Sequence, residues 1–168
     1  MSKSPSPIRP TTDEARQLAR DLLYSAKHVA IAVLDPDTGG PSVSRVLIGS
    51  MPDGALMTLV SQLSAHTRAM LTDPRVSLLA GEPGKGDPLA HPRITVQCLA
   101  KPIDRESGDH LAMRQAFLVR HAKAKLYIDF PDFLFLRLIP ETASLNGGFG
   151  KAFLLKGDEL TGRTAPAI

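Results

Sequence analysis

The stretch SVSRVLIGSMPDGALMTLVSQLSAHTRAML, residues 42–71, predicts two strands and a helix in close succession. Its first half is rich in β-branched and aliphatic residues, and Pro52-Asp53-Gly54 is a turn signal before the next apolar run. These features predict a β-hairpin. The second half passes from strand into helix at Ser64, the predicted N-cap, and the helix is expected to end near Asp73-Pro74.

Arg45 lies in the middle of the first strand of this hairpin, among apolar residues such as Val43, Val46 and Leu47. We therefore expect its side chain to be buried, and burying a guanidinium without a partner is costly. An anion is expected beside it. That anion is either a bound ligand or a carboxylate of the protein itself.

Five polar side chains crowd the predicted start of the helix. They are Ser61, Ser64, His66, Thr67 and Arg68. Free N–H groups and the macrodipole at a helix start favour negative charge by about 0.3 to 1 kcal/mol, so these residues could form a phosphate cradle. The other interpretation is an ordinary capped helix on the solvated surface.

The chain before this stretch predicts a lead-in, a helix and a strand. Residues 1–10 are rich in Ser and Pro and are expected to be disordered. Thr11 and Glu14 form a candidate capping box for an amphipathic helix. Residues 28–34, HVAIAVL, predict a buried strand that joins the hairpin in an antiparallel meander.

The chain after this stretch predicts further strands around one helix. Strands are expected at residues 75–81, 92–104 and 133–139, a helix at 106–125, and a final strand pair at 142–155 that is broken by the glycines of GGFG at 147–150. The core side of this helix is expected to carry Leu111, Phe117, Leu118 and His121. In the second strand Thr95 and Gln97 share one face, which makes that face polar. His121 is either a ligand or a residue that caps and packs, and the tail after residue 157 is expected to be loosely ordered.

Composition limits the class of protein. A chain of 168 residues, 43% hydrophobic, fits one domain, here residues 11–157. A net charge of +3 with scattered basic residues calls for neither nucleic acid nor an anionic membrane. The single Cys98 excludes an internal disulfide, no Cys/His spacing predicts a metal site, and no run is long enough to span a bilayer. A cytoplasmic location is expected.

Several motifs, in their order, resemble a known family. They are SRVLI at 44–48, S-x-x-S-x-H-T-R at 61–68, DPRVSLL at 73–79, RITVQ at 93–97, RHAKAKLY at 120–127 and GGFG at 147–150. The chain resembles the FMN-binding split barrel of the pyridoxamine 5'-phosphate oxidase superfamily, in particular its haem-utilisation branch. The resemblance implies an α+β, mainly β fold: a split β-barrel of antiparallel strands with flanking helices.

The resemblance also implies FMN as cofactor and a set of binding residues. Arg45 would hold the FMN phosphate, with Val46 and Leu47 along the isoalloxazine through their backbone. Ser64 and His66 would contact the phosphate, with Ser61, Thr67 and Arg68 as neighbours. Thr95 and Gln97 would bond the ring edge, unless they form an outward polar stripe. A homodimer with the flavin between subunits is also implied.

Three departures separate this chain from the true oxidases. Ser50 and Ala65 stand where those enzymes carry a lysine and an arginine, and the chain has no Trp. The resemblance thus implies an FMN-binding oxidoreductase acting on a small molecule rather than oxidation of pyridoxamine phosphate. The catalytic residues stay unassigned, because the flavin itself supplies the redox chemistry.

The alternative function is a haem-binding, haem-utilisation or flavin-storage protein on the same fold. Haem iron needs an axial side chain, most often histidine. No histidine follows His121, so a C-terminal loop that ligates haem is missing. His66, His91 or His121 would have to replace it in a differently built cleft.

Overall fold

A computed structural model describes residues 7–161, which form one strongly curved antiparallel sheet with helices against it. The architecture is mainly β with flanking helices, as predicted. The strands are β1 (His28–Leu34), β2 (Pro41–Leu47), β3 (Gly49–Ser50), β4 (Leu56–Ser61), β5 (Arg75–Ala80), β6 (Arg93–Pro102), β7 (Phe133–Asn146) and β8 (Ala152–Lys156). The helices are α1 (Asp13–Ser25), α2 (Ala65–Thr72), α3 (Gly108–Arg120) and α4 (Gly157–Thr161), with 3-10 turns at Pro88–Ala90 and Ala122–Leu126. Within the described residues no helix is long and apolar enough to cross a membrane.

The sheet curls because its two ends are continuous in sequence. The strand order is β2-β1-β5-β6-β7-β4-β3, with β8 also paired to β7. Only Ile48 separates β2 from β3, and its N–H donates to the Lys27 carbonyl at 3.1 Å. One short stretch of chain therefore pairs with β1 on one side and with β4 on the other, which draws both ends of the sheet together.

The predicted hairpin and meander are confirmed only in part. β3 pairs with β4 across the turn at residues 51–55, where Met51 N–H donates to the Ala55 carbonyl. β2, which carries Arg45, pairs with β1 and not with β4. The three strands are not a meander, because the bend at Ile48 turns the chain from one end of the sheet to the other.

Two hydrophobic clusters hold the helices to the sheet. The main core fills the inside of the curved sheet and includes Leu23 of α1 and Met70 of α2. The second cluster lies on the other side of β4 and β7, where Phe117 of α3 packs edge-on against Phe135 of β7, with centroids 5.5 Å apart. α3 thus covers the outside of β4 and the first half of β7. Leu111, predicted to face the core, is 58% exposed because it lies on the solvent side of α3.

The two ends of the described chain differ from prediction. The N-cap of α1 is Thr12, whose hydroxyl accepts from the Ala15 N–H, and not Thr11. Of the predicted lead-in, residues 1–6 lie outside the described residues, whereas Ile8 forms a parallel bridge with Ala152. Residues 158–161 continue as α4, and Leu160 is buried, because its apolar side chain joins the main core.

Candidate functional site

Beyond the part that α3 covers, the outer side of the sheet carries no helix of residues 7–161. Along β1, Val29, Ile31 and Val33 are buried in the main core, and the residues between them are half-buried. Successive side chains of a strand point to opposite faces, so these alternate residues form an outer face. β1 is therefore buried on one face only, which corrects the prediction of a buried strand.

The register of five strands aligns the outer residues in two rows. The first row crosses the sheet as Arg45 (β2), Ala30 (β1), Leu79 (β5), Thr95 (β6) and Ser144 (β7). The second row, two residues along each strand, is Val43, Ala32, Ser77, Gln97 and Thr142. We call these ten residues the outer face. It brings together three of the predicted cofactor residues, namely Arg45, Thr95 and Gln97.

The outer face is largely apolar at its centre. Ala30 and Ala32 are short, whereas Val43 is 67% exposed and Leu79 is 45% exposed. A groove of about 310 Å³ crosses β1, β5 and β6 beside the second row. Its lining residues include Ala32, Ser77, Gln97, Arg75 and Glu141. Contiguous exposed apolar surface of this kind is typical of a ligand or protein contact.

Arg45 is exposed, which corrects the prediction that its side chain is buried. It lies on the outer side of β2, an end strand of the sheet, so apolar neighbours in sequence do not enclose it. Within residues 7–161 its guanidinium has no hydrogen-bond or ion-pair partner. No protein carboxylate of the described chain therefore neutralises Arg45, and its donors are free for a ligand. Thr95 is exposed on the same face, and Gln97 accepts a hydrogen bond from Thr142 Oγ1 at 3.1 Å.

The start of α2 forms a second location. Ser64 is the N-cap, as predicted, but its side chain makes no capping hydrogen bond. Ser61 Oγ donates to Asp132 Oδ2 at 2.6 Å, and Arg68 Nη2 donates to Asp37 Oδ2 at 2.6 Å. Two of the residues predicted as neighbours of the phosphate, Ser61 and Arg68, thus already donate to carboxylates. In the described chain no hydrogen bond or ion pair joins Arg45 to this helix start.

The remaining predicted residues lie on α2 and on β2. Thr67 is fully buried, and its Oγ1 has no hydrogen-bond partner. Burial lowers the pKa of His66, which favours the neutral imidazole. On β2, Val46 packs in the main core, and the Leu47 carbonyl accepts from Thr58 Oγ1 at 2.8 Å. The helix start thus has few side-chain donors to spare for a phosphate.

His121 has a structural role. It is buried, its ring lies 4.6 Å from that of Phe117, and its Nε2 lies 2.8 Å from the Ile48 carbonyl. The carbonyl can only accept, so Nε2 carries the proton. His121 therefore ties α3 to the bend between β2 and β3, which agrees with the interpretation that it caps and packs. Burial also raises the pKa of the Cys98 thiol to about 12, so Cys98 is not a nucleophile at neutral pH.

Sequence reasoning missed His28 and the apolar members of the outer face. His28 begins β1 on the same side as Ala30 and lies opposite Leu47 of β2. Its Nδ1 is 3.8 Å from Glu82 Oε1. The available signal was the alternation of HVAIAVL, which places His28, Ala30 and Ala32 on one face.

Comparisons with known proteins identify relatives. The family model described as CREG, beta-barrel, matches residues 10–160. The chain is 32% identical over 120 residues to the chloroplastic non-canonical heme oxygenase HOZ of Arabidopsis thaliana, covering 71% of this chain but only 36% of that protein. It is 27% identical over 147 residues to the heme oxygenase HutZ of Vibrio cholerae, covering 84% of this chain and 81% of that protein. The chain thus spans about a third of the plant relative.

Solved structures agree on the fold. A heme binding protein from Mycobacterium smegmatis superposes with a TM-score of 0.78 at 33% identity, over 92% of this chain and 61% of that one. A protein from Clostridium acetobutylicum, described as of the pyridoxinephosphate oxidase family, superposes with a TM-score of 0.66 at 15% identity, over 89% and 99%. The split-barrel fold expected from the sequence is confirmed.

Proposed function

The chain belongs to the CREG β-barrel family, and from this membership and the geometry above we propose that it binds haem on the outer face of its sheet. The relatives named above are described as heme oxygenases or a heme binding protein. This reverses the order of preference set by the sequence, which placed FMN first and haem second.

The chemistry of the outer face suits a porphyrin. A porphyrin is a flat apolar disc with two carboxylates at one edge, and the floor of Ala30, Ala32 and Leu79 is apolar. Laying the disc on this floor removes apolar surface from water on both partners, which stabilises binding by about 25 cal/mol per Å². The short alanines leave room for the disc to approach the strand.

The observation that carries the proposal is the unpartnered Arg45 at the edge of this floor. A guanidinium can hold a carboxylate through two parallel N–H···O bonds, and such charge-assisted bonds are about twice as strong as neutral ones. Arg45 has no competing partner within the described chain, so it would hold a propionate and fix the orientation of the ring. Thr95, across the same row, offers a hydroxyl toward the opposite edge.

The names of the relatives extend the proposal to an activity. When bound, haem would supply the iron-centred oxygen chemistry of its own oxidation, and the chain would bind the ring, orient it and limit access of water. We therefore propose slow oxidative breakdown of haem in the presence of an electron donor.

FMN is the second candidate, and the start of α2 is the observation that favours it. Ser64 has no capping bond, and the buried Thr67 Oγ1 has no partner. A phosphate at this N-terminus would accept from the free N–H groups of the first turn. In that case the isoalloxazine and not a porphyrin would occupy the floor.

We further propose a homodimer in which the outer faces of two subunits enclose the ligand. Val43, Leu79 and Leu154 are each exposed by 45% or more on this side. A single sheet face would leave the other side of a flat ligand in water, and a second copy would cover it.

Titration with each cofactor tests the proposal. Haemin and FMN are added separately to the purified protein, and the Soret band and flavin fluorescence are followed. We expect a shifted Soret band that saturates at a fixed stoichiometry and weak or absent binding of FMN. Tight FMN binding without a shifted Soret band would overturn the haem proposal in favour of the flavoprotein. Loss of the Soret band with release of iron, on addition of a reductant in air, tests the proposed breakdown.

A further inference from the structure

We propose that the outer face recognises the ring and the carboxylates of a tetrapyrrole and not its metal, so that it takes an iron-free porphyrin about as readily as haem. The inference rests on the proposed haem binding and deepens it, because it names the part of the ligand that the chain recognises. It follows from where the fold places the side chains that ligate haem iron in proteins, which are those of His, Cys, Met and Tyr.

The outer face is built from other side chains. Its ten residues are four aliphatic side chains, one guanidinium, one amide and four hydroxyls. The guanidinium is always protonated and only donates, so it offers a metal no lone pair. Neutral oxygen ligands suit harder cations such as Mg²⁺. A ring on this floor therefore has apolar contacts and hydrogen-bond donors below it, but no soft or nitrogen ligand for iron.

Three of the five histidines lie away from the outer face. The Nε2 atom of His121 lies 2.8 Å from the Ile48 carbonyl in the interior. His110, on α3, packs against the second hydrophobic cluster. His66 belongs to α2, whose Met70 lies in the main core inside the curved sheet. None of the three can reach a ring that rests on the outer side of β1.

The other two histidines lie at the border of the outer face. His28 begins β1, two residues before Ala30, and side chains of a strand stand roughly perpendicular to the sheet. It would meet the edge of a ring that rests on the alanines of β1, and not the metal at its centre. His91 lies in the loop before β6, where its ring packs on Gly84 and its Nε2 is 2.9 Å from the Lys85 carbonyl. That nitrogen carries the proton, because a carbonyl can only accept.

The sulfur and phenol side chains of the described residues are engaged elsewhere. Cys98 lies in the main core, and Tyr24 donates its hydroxyl to the Gly54 carbonyl at 2.7 Å. The ring of Tyr127 packs against that of Phe133, with centroids 4.9 Å apart. The methionines of residues 7–161 all pack in or against the two hydrophobic clusters: Met51, Met57, Met70 and Met113.

What the outer face does offer is independent of a metal. Arg45, which has no partner in the described chain, suits a propionate, and every porphyrin with propionates carries the same apolar disc. The Oε1 atom of Gln97 accepts from Thr142 Oγ1 at 3.1 Å, so the amide N–H groups of Gln97 remain free to donate to a ligand. In the proposed dimer the second copy would present the same ten residues to the other side of the ring and would add no ligand for iron.

Titrations with haemin and with iron-free protoporphyrin IX test the inference. The Soret band follows the first porphyrin, and its own fluorescence follows the second. We expect haemin to bind no more than about tenfold tighter than protoporphyrin IX. Protoporphyrin IX dimethyl ester, whose carboxylates are blocked, should bind more weakly than either.

Two variants separate recognition of the carboxylates from recognition of the metal. Arg45→Ala should weaken the binding of haemin and of protoporphyrin IX by the same factor, roughly ten- to two-hundredfold. His28→Ala is the control, because it removes a histidine at the border of the floor. It should leave both dissociation constants and the electron paramagnetic resonance of the ferric complex unchanged.

The outcomes separate the inference from the proposed function. If haemin binds more than about tenfold tighter than protoporphyrin IX, the metal is recognised and the inference is wrong, although haem binding stands. A histidine-ligated spectrum of the ferric complex that His28→Ala abolishes would overturn it in the same way. If the unmodified protein binds neither porphyrin, the inference and the proposed function are both overturned.

Discussion

At the scale of single residues, Arg45 is the decisive side chain. The pattern of apolar neighbours located it on a strand but suggested the wrong environment, because Arg45 points to the outer side of the sheet, where central strands also expose residues such as Leu79 and Thr95. Exposure strengthens the binding role, since the protein itself offers Arg45 no carboxylate within the described residues. Sequence pattern gives the period of a strand but not its place in the sheet.

Replacing Arg45 should weaken ligand binding and leave folding intact. A charge-assisted contact to a carboxylate or phosphate contributes about 1.5 to 3 kcal/mol, so Arg45→Ala should lower affinity by roughly ten- to two-hundredfold. Haemin and FMN titrations measure this effect, and urea unfolding without ligand should be nearly unchanged. The control is Arg114→Ala, which removes the ion pair between Arg114 of α3 and Asp129. Equal affinities of the two variants would refute the role of Arg45.

The positions of the ten predicted cofactor residues show which features of a site can be predicted from the local sequence and which cannot. Thr95 and Gln97 share the outer face because period two is a local property of a strand. Whether Arg45 meets the start of α2 depends on the bend at Ile48, which no local signal announces. The pairing of Arg68 with Asp37, and of Ser61 with Asp132, likewise depends on contacts between distant segments.

At the scale of elements, α4 is fastened to α1 through Glu159. Its carboxylate accepts from Arg16 Nε at 2.8 Å and from the Lys156 N–H at 2.7 Å. These bonds hold the pKa of Glu159 below its usual value, the backbone N–H of Lys156 being the larger cause and Arg16 the next. The polar sequence after residue 157 did not predict this helix. The helix is held by the contacts of the Glu159 carboxylate and by one apolar residue.

We expect Glu159→Gln to destabilise the protein by about 1 kcal/mol at neutral pH. A lowered carboxyl pKa contributes stability above the unfolded pKa of about 4.5, and that stability is lost as the pH falls through the folded pKa. The difference between the variant and the original protein should therefore shrink toward pH 3. Urea unfolding at pH 7 and at pH 3 measures it. A difference that is constant with pH would show that Glu159 acts without its charge.

Gly157, between β8 and α4, has a packing role that the sequence could not show. A Cβ at this position would overlap the Pro140 carbonyl of β7 and lie 2.6 Å from its carbon. Gly157→Ala should cost about 1 to 3 kcal/mol or more, since backbone must move to make room. The control is Gly108→Ala, where a Cβ meets nothing within 4 Å at the start of α3. Thermal unfolding of both variants gives the comparison, and equal midpoints would contradict the packing argument.

At the scale of the whole molecule, the strand count and the helices were largely predictable, because each is a local periodic pattern. The strand order was not. Pairs such as Leu56 with Leu138 join segments that are far apart in sequence, and only the tertiary structure assigns them. The open side of the sheet follows from that order, and so does the juxtaposition of Arg45, Thr95 and His28.

The proposed dimer makes its own prediction. Leu79→Lys places a charge at the centre of the outer face, and we expect it to convert a dimer to a monomer and to weaken haemin binding together. Leu111→Lys, at an exposed position on α3, should change neither. Light scattering at micromolar concentration gives the mass of each variant. A monomeric unmodified protein that still binds haemin would rule out enclosure by two subunits.

The bend at Ile48 has a consequence for synthesis of the chain. β4 emerges from the ribosome soon after β2, but its long partner β7 begins at Phe133, and Leu56 pairs with a residue 82 positions later. At about 5 to 20 residues per second, β4 waits roughly 4 to 16 s for that partner. During this interval its largely apolar run, LMTLV, is exposed in the nascent chain. We therefore expect β4 to be a segment that a chaperone protects from aggregation while translation continues.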